Sequence, residues 1–171
     1  MNISEIGSLI LAAGESSRMG RLKALLYLGQ ERVVERVINA HRAAGIGRIV
    51  AVTGFGHDQL APLLAWHGIE CVRNPDPGRG MFSSVQGGLA QLPAGVPAVF
   101  VHPVDVPLVT PATLRSLPAA ISAADIAAVV PACGGVAGHP PLLRGEILPR
   151  ILDYGGADGL RGGVLERHHR L

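Results

Sequence analysis

The chain of 171 residues is 48% hydrophobic and 16% charged, which excludes an intrinsically disordered protein, and its length fits a single domain. Fifteen Lys and Arg residues against thirteen Asp and Glu residues give a formal net charge of +2. Because no basic stripe interleaved with aromatic residues is present, nucleic acid is not an expected partner. The sequence shows neither a signal peptide nor an apolar run of about eighteen residues, and Cys71 and Cys133 are isolated. We therefore expect a cytoplasmic protein with reduced thiols and no membrane contact.

Short, continuously apolar runs predict strands that are buried on both faces of a sheet. In chain order these runs are residues 9–13, 48–52, 99–101 and 127–130. Apolar residues at helical spacing lie between them and predict helices within 31–44, 57–66, 85–92 and 114–121. This alternation indicates right-handed βαβ units. The predicted fold is a three-layer α/β/α Rossmann-like domain with a mostly parallel sheet.

The pattern becomes less regular after Pro131. Residues 140–143 predict an added strand, and 146–152 and 158–167 predict two further helices. Trp66, which ends the second helix, is expected in the core, whereas His41 on an apolar helix face is expected to be structural. Thr110 is a candidate helix N-cap with Pro111 at the first helical position.

Four loop segments each follow an apparent strand and are rich in Gly, Pro or polar residues. They are residues 12–23, 54–58, 74–80 and 102–107. In an open parallel sheet, ligands bind beyond the carboxyl ends of the strands, where the strand order reverses. We therefore expect these four segments to meet at one edge of the sheet and to form the ligand site.

The first of these segments carries groups that suit a polyanion. Gly14 lets the backbone approach a ligand, Ser16 and Ser17 add hydroxyl and amide donors, and Arg18 and Lys23 supply positive charge. A nucleoside triphosphate needs such donors and cations. The alternative is a solvated Gly-Ser turn with two surface cations. A P-loop and a dinucleotide-binding glycine motif are both absent from the sequence.

The stretch from Leu11 to Gly20, with Lys23 shortly after it, resembles the signature of the MobA-like nucleotidyltransferases. It is most similar to the branch of molybdenum cofactor (molybdopterin) cytidylyltransferases. Further segments resemble the family in the right order: 74–89 with its Ser-Ser pair, 104–110 with Asp-Val-Pro, 138–141 with Gly-His-Pro, and 158–161. The resemblance implies a fold of the nucleotide-diphospho-sugar transferase type.

The resemblance also implies site residues. Arg18, Lys23 and Asp105 would be catalytic, with Asp105 binding Mg²⁺. The nucleotide-binding residues would be Leu11, Ala12, Ala13, Gly14, Ser16, Ser17, Arg18, Lys23, Asn74, Ser83, Ser84 and Gly87. Gly138 and His139 would bind the acceptor. For several of these a structural role is the alternative, namely a turn residue for Asp105 or Asn74 and a helix N-cap for Ser83 or Ser84.

The implied reaction is attack by the terminal phosphate of a molybdopterin-type cofactor on the α-phosphorus of CTP, with release of pyrophosphate. The attacking phosphate is already ionised, so no general base is needed. Within the family, Ala12-Ala13-Gly14 and Arg21-Leu22-Lys23 favour CTP over GTP, and another nucleoside triphosphate stays open as the donor. The resemblance further implies transient contact with a molybdoenzyme or its chaperone.

Residues 1–171 are expected to form one nucleotidyltransferase domain that lacks the family's usual C-terminal strand and Asp-x-Asp-Thr segment, since nothing after Arg167 resembles it. This departure keeps a second hypothesis open, a nucleotide-binding member of the family without turnover. A third is a nucleotidyltransferase that acts on another phosphorylated small acceptor.

Overall fold

The computed structural model describes residues 1–15, 20–122, 126–156 and 158–165. The described residues form ten strands: β1 (Gly7–Ala12), β2 (Tyr27–Leu28), β3 (Glu31–Arg32), β4 (Arg48–Thr53), β5 (Glu70–Arg73), β6 (Ala98–Pro103), β7 (Ala128–Val129), β8 (Ala132–Cys133), β9 (Val136–Ala137) and β10 (Leu142–Arg144). The same residues form six α-helices: α1 (Val33–Ala44), α2 (His57–Trp66), α3 (Met81–Leu89), α4 (Pro111–Ile121), α5 (Leu148–Asp153) and α6 (Gly159–Leu165).

One six-stranded sheet organises the molecule, with the strand order β5-β4-β1-β6-β10-β7. Strands β5, β4, β1 and β6 are parallel, and β10 pairs antiparallel with both β6 and β7. The chain adds β4 and β5 on one side of β1 and then crosses to add β6 on the other side. The strand order therefore reverses between β1 and β6, and the prediction of a mostly parallel sheet is confirmed.

Helices cover both faces of this sheet. One face packs against α3, α5 and α6, with Leu89 and Ile151 in its core. The other face packs against α1, α2 and α4 through Ile38, Leu60 and Leu114. Strand β1 is buried along its whole length because it lies between these two layers. The continuous apolar run that predicted this strand is thus explained, and the predicted three-layer α/β/α architecture is confirmed.

Helix α3 approaches the sheet closely because residue 88 has no side chain. A Cβ atom on Gly88 would lie 2.7 Å from Val52 Cγ2 and 3.1 Å from Leu9 Cδ2. Real Cβ atoms do not approach a neighbour to 2.7 Å, so a larger residue would push α3 away from β1 and β4. The glycine therefore allows the short distance between α3 and the sheet. The first turn of α3 borders the candidate site.

The predicted helix N-caps have different outcomes. Thr110 caps α4, since its side chain accepts a hydrogen bond from the backbone N–H of Thr113, and Pro111 opens the helix as predicted. The N-cap interpretation of Ser83 and Ser84 is wrong, because α3 begins at Met81 and its N-cap is Gly80, with φ +91°. An L side chain rarely adopts this backbone conformation, which is why a glycine stands there.

The prediction that Trp66 belongs to the core is wrong, since this residue is 86% exposed. Helix α2 buries Leu60 and Leu64, which are four residues apart and lie on the same face. Trp66 follows Leu64 by two residues, about 200° around the helix, and so faces solvent. His41, in contrast, is fully buried on the inner face of α1, as predicted.

The elements after Pro131 are more divided than the sequence indicates. The added strand is β10, and the helix predicted over 146–152 consists of a short 3-10 helix at Gly145–Ile147 followed by α5. The small hairpins β2–β3 and β8–β9 were not predicted.

Cys71 and Cys133 are free thiols. Among the described residues, no helix is both long enough and apolar enough to cross a bilayer.

Candidate active site

A cavity of about 310 Å³ opens at the carboxyl edge of the sheet, where the strand order reverses. All four predicted loop segments reach this cavity. It is lined by residues 11–15 and 22–24 in and after β1, by Phe55 after β4, by Pro77 and Gly80 after β5, and by 103–105 at the end of β6. The predicted convergence of these loops is confirmed, and its cause is the parallel arrangement of the strands that carry them.

Two opposite charges meet at this cavity. Lys23 Nζ lies 3.8 Å from Asp105 Oδ2, and both side chains are about half exposed, at 44% and 53%. Solvent screens this long ion pair, so it stabilises the fold only weakly. Both groups border the cavity and are accessible to a ligand there. The carboxylate of Asp105 therefore points towards the first loop and not away from it.

The turn that carries Asp105 is fixed to the first strand. The backbone N–H of Val104 donates to the carbonyl of Leu11 over 3.0 Å, and Val106 N–H donates to Pro103 O over 3.1 Å. Val104 is also buried among side chains of α1 and α2. These contacts hold the backbone beneath the carboxylate in place, which favours a constant distance between Asp105 and the loop after β1.

The first loop lines the cavity with residues Leu11, Ala12, Ala13 and Gly14. A Cβ atom on Gly14 would meet no atom of the described residues within 4 Å. A ligand can thus approach the main chain closely there. Three further predicted site residues, Ser16, Ser17 and Arg18, lie outside the described residues.

Asn74 joins the loop after β5 to the first turn of α3. It is 6% exposed, and its side-chain amide donates to Ser83 Oγ and Ser84 Oγ, each at 2.9 Å. Its carbonyl oxygen accepts from the backbone N–H of Asp76 at 3.0 Å, so Asn74 is also a turn residue. In this segment Gly80 and Met81 border the cavity, while the Asn74 network fixes the wall behind them. Gly87 lies further along α3, beside open space.

A second cavity, of about 490 Å³, adjoins the first. The two share Leu11, Gly80, Met81 and Pro103 as lining residues. The second cavity is also lined by the polar side chains of Arg79, in the loop after β5, and of His139, Asp158 and Arg161, which all follow β9. Gly138 is close by in sequence, and its N–H donates to Pro131 O at 2.7 Å, which closes the loop before His139.

The carboxylate of Asp105 at the first cavity is one group that a divalent metal ion could use as a ligand. Within residues 1–15, 20–122, 126–156 and 158–165, no group of three or more His, Cys, Asp or Glu side chains is placed to hold a metal ion. Mg²⁺ commonly binds through one or two carboxylates together with substrate phosphates and water. Asp105 is accessible at the cavity and so fits binding through one carboxylate together with substrate phosphates and water.

Sequence reasoning missed several residues that line the two cavities. Phe55 is 55% exposed beside the first cavity, and Glu15 and Met81 also border it. Arg79 and Arg161 border the second cavity. The position of Phe55 between two glycines directly after a strand was an available signal, since such loops carry ligand contacts. Nothing in the local sequence distinguishes Arg79 from a surface cation, whereas Arg161 lies in the segment 158–161 that resembles the family.

The reversal of strand order between β1 and β6, with a cavity at that point, defines an open α/β fold that binds ligands at the carboxyl edge of its sheet. Its solved structural neighbours agree with the predicted nucleotide-diphospho-sugar transferase type. Residues 8–171 match the model of the MobA-like NTP transferase domain. The chain therefore belongs to the family of MobA-like nucleotidyltransferases, as the first loop predicted.

Several characterised proteins are similar to this chain. The molybdenum cofactor cytidylyltransferase of Escherichia coli K12 is 30% identical over 98% of this chain and 84% of its own length. A probable molybdenum cofactor guanylyltransferase of Opitutus terrae is 32% identical over 68% of this chain and 55% of its own length. The bifunctional protein GlmU of Paracidovorax citrulli is 32% identical over 96% of this chain, which spans only 33% of that protein.

Solved structures have the same fold. The crystal structure of Rv0371c from Mycobacterium tuberculosis H37Rv superposes with a TM-score of 0.80 at 25% identity, over 94% of this chain and 82% of that one. A structure of the same protein in complex with manganese superposes with a TM-score of 0.74 at 22% identity, over 91% and 79% of the two chains. At this identity the second likeness concerns the fold alone.

Proposed function

We propose that this protein transfers CMP from CTP to the terminal phosphate of a molybdopterin-type cofactor. An acceptor phosphate oxygen would attack the α-phosphorus of CTP, and the bond between the α-phosphorus and the bridging oxygen to the β-phosphorus would break to release pyrophosphate. The observation that carries the proposal is the cavity at the strand-order reversal, where Lys23 and Asp105 meet. The identity of 30% to a cytidylyltransferase over nearly the whole chain supports CTP as the donor.

The first cavity is the proposed nucleotide site. The backbone of Leu11–Gly14 would lie against the nucleotide, and Lys23 would face the α-phosphate. Gly80 and Met81 bring the N-terminus of α3 to the cavity, and the partial positive charge of a helix N-terminus favours anions. Ser16, Ser17 and Arg18 would complete the phosphate contacts, with Arg18 on the leaving β- and γ-phosphates. Asn74 would support the wall near the base through Ser83 and Ser84.

Asp105 is the proposed ligand of a divalent metal, Mg²⁺, that enters with the triphosphate. When bound, such an ion supplies charge neutralisation for the transferred phosphoryl group. The manganese complex of a protein with the same fold agrees with a divalent ion. The protein's own part is electrostatic positioning: Lys23 and Asp105 would hold the α-phosphate between a cation and a metal-binding carboxylate.

The second cavity is the proposed acceptor site. It shares a wall with the first, so an acceptor phosphate bound there would lie next to the α-phosphate of the nucleotide. Arg79, Arg161 and His139 supply hydrogen-bond donors at this cavity, which suits a phosphorylated acceptor. Gly138 would fix the loop that presents His139. Delivery of the product to a molybdoenzyme or its chaperone remains a prediction.

We propose that residues 1–171 act as a single nucleotidyltransferase domain. Its support is one six-stranded sheet whose two faces carry the core clusters of the described residues. Both proposed cavities lie at the end of strands of this sheet.

The experiment that tests this function measures pyrophosphate release with CTP, GTP, ATP and UTP, each with reduced molybdopterin cofactor as the acceptor. Mg²⁺, Mn²⁺ and EDTA form the metal arms. We expect turnover with CTP above GTP, dependence on the divalent ion, and a product whose mass equals acceptor plus CMP. Preference for GTP would support the second candidate, a guanylyltransferase, which the relative of that name favours. Binding of CTP without pyrophosphate release would contradict an enzyme.

Lys23→Ala is expected to lower kcat for nucleotidyl transfer about ten- to several-hundredfold, because one preorganised cationic contact to the transferred phosphate is lost. Arg36→Ala is the matched control, since Arg36 is a partly exposed cation that is paired with Glu31 and lines neither cavity. Steady-state rates at saturating CTP check this prediction. Equal kcat for Lys23→Ala and Arg36→Ala would remove Lys23 from the site.

A further inference from the structure

The imidazole of His102 spans the turn that presents Asp105. His102 is in β6, fully buried, and its Nε2 lies 2.9 Å from the carbonyl oxygen of Val106. Because a carbonyl only accepts hydrogen bonds, His102 Nε2 carries the proton and donates. The ring thus connects the strand before Asp105 to the backbone directly after it.

His41 fixes the opposite side of the same ring. Its Nε2 lies 2.7 Å from His102 Nδ1, although the two residues are 61 positions apart in the chain. In a neutral His102 with its proton on Nε2, Nδ1 is an acceptor, so His41 donates from Nε2. Helix α1 is therefore connected through His41 and His102 to the turn that carries Asp105.

Both rings are neutral near neutral pH. Burial lowers the pKa of His41 to about 3, and repulsion from His102, when that ring is protonated, acts in the same direction. The pKa of His102 is also lowered, first by burial and then by His139, against the opposing effects of the Val106 hydrogen bond and Asp105. Neutral rings allow one defined arrangement, in which His41 donates to His102 and His102 donates to Val106.

The two buried histidines stabilise the core less than apolar side chains of similar size would. In the part of the chain that the structure describes, His41 Nδ1 is buried and has no hydrogen-bond partner. A buried polar atom without a partner costs stability that an apolar side chain of similar size would not cost. His41 also packs edge-on against Phe100, with ring centroids 5.8 Å apart, so an apolar ring is tolerated in the same layer. Unlike apolar side chains, the two histidines also provide a hydrogen bond from His102 Nε2 to the carbonyl oxygen of Val106.

We propose that His102, held by His41, is a positioning residue that fixes the turn at 103–106 so that Asp105 keeps its place opposite Lys23. The inference rests on the proposed function only in the role of Asp105. The link between the rings and the turn is a property of the fold.

The test compares His102→Leu with His102→Gln, which retains a donor for Val106, and with His41→Leu. Val99→Ala is the matched control, because Val99 is a fully buried residue of the same strand whose side chain packs in the core on the opposite face of the sheet from His102. Two quantities are measured: amide hydrogen exchange at Val104, Asp105 and Val106, and the Mg²⁺ concentration that gives half-maximal nucleotidyl transfer with the preferred nucleotide.

We expect His102→Leu to accelerate exchange at these amides by about tenfold, which is the order of effect that one hydrogen bond supports. The Mg²⁺ requirement should rise by a similar factor, with little change in KM for the nucleotide. His41→Leu should act in the same direction, and His102→Gln should recover most of both effects. If His102→Leu does not fold, His41→Leu and His102→Gln decide the comparison.

The proposal is overturned if Val99→Ala, at equal loss of global stability, gives the same exchange and Mg²⁺ pattern as the histidine variants. It is also overturned if exchange at 104–106 is unchanged in the variants that fold. Should no nucleotide be turned over, the proposed function fails, and hydrogen exchange alone still decides whether the histidines fix the turn.

Discussion

Asp105→Ala is expected to reduce nucleotidyl transfer at saturating Mg²⁺ by at least about 10²- to 10³-fold, the scale seen when one strong electrostatic contact to a transition state is removed. The free energy of unfolding should change by no more than about 0.5 kcal/mol, because the side chain is 53% exposed and its ion pair with Lys23 is long. Steady-state kinetics and chemical denaturation of the same preparations check both parts.

Two further variants sharpen this result. Asp105→Asn keeps the shape of the side chain but removes its charge, and it should lose nearly as much activity if the carboxylate binds a metal. Asp153→Ala removes an exposed carboxylate at the end of α5 and should leave activity unchanged. A large loss of stability in Asp105→Ala, together with retained activity, would make Asp105 a structural turn residue.

The second large effect concerns pH. The pKa of His41 is about 3 in the folded protein because of burial, against about 6.5 in the unfolded chain. Between these values the unfolded chain binds a proton that the folded protein does not, so the free energy of unfolding falls as the pH falls. The loss from His41 begins near pH 6.5 and amounts to about 3 kcal/mol at pH 4, at about 1.4 kcal/mol per pH unit. The lowered pKa of His102 adds to this loss in the same direction.

Chemical denaturation at pH 7, 5 and 4 measures this dependence, with His41→Gln as the comparison. The other titratable groups are present in both proteins, so the difference between the two unfolding free energies isolates the contribution of His41. That difference should shift by about 3 kcal/mol in favour of His41→Gln from pH 7 to pH 4. A difference that stays constant with pH would show that His41 accepts a proton in the folded state.

Both predictions concern the turn at residues 103–106 and the side chains that support it. Asp105 borders the cavity, and His102, three residues earlier in the chain, is fully buried. An exposed acid whose backbone is fixed by buried groups can keep its position without being buried itself. This arrangement leaves the carboxylate exposed to solvent and still confines it to one side of the cavity.

Much of the fold followed from the sequence because its signals are local. The apolar run at β1 predicted burial on both faces, and the Thr110-Pro111 pair predicted where α4 begins. The prediction for Trp66 was wrong because being apolar does not decide which face of a helix a residue occupies. Ser83 and Ser84 were ambiguous because a hydroxyl near a helix start suits a cap or another partner. Their partner proved to be Asn74, nine and ten residues away.

The sequence alone determined the α/β class, the loop after β1 as the phosphate-binding candidate, and the family, because strand and helix periodicity and the spacing of a loop motif are properties of neighbouring residues. Only the tertiary structure decided that β10 adds antiparallel to β6, that Asp105 lies 3.8 Å from Lys23, and that His41 meets His102. These contacts join residues far apart in the chain, and their partners are set by how helices and strands pack, which no local pattern encodes.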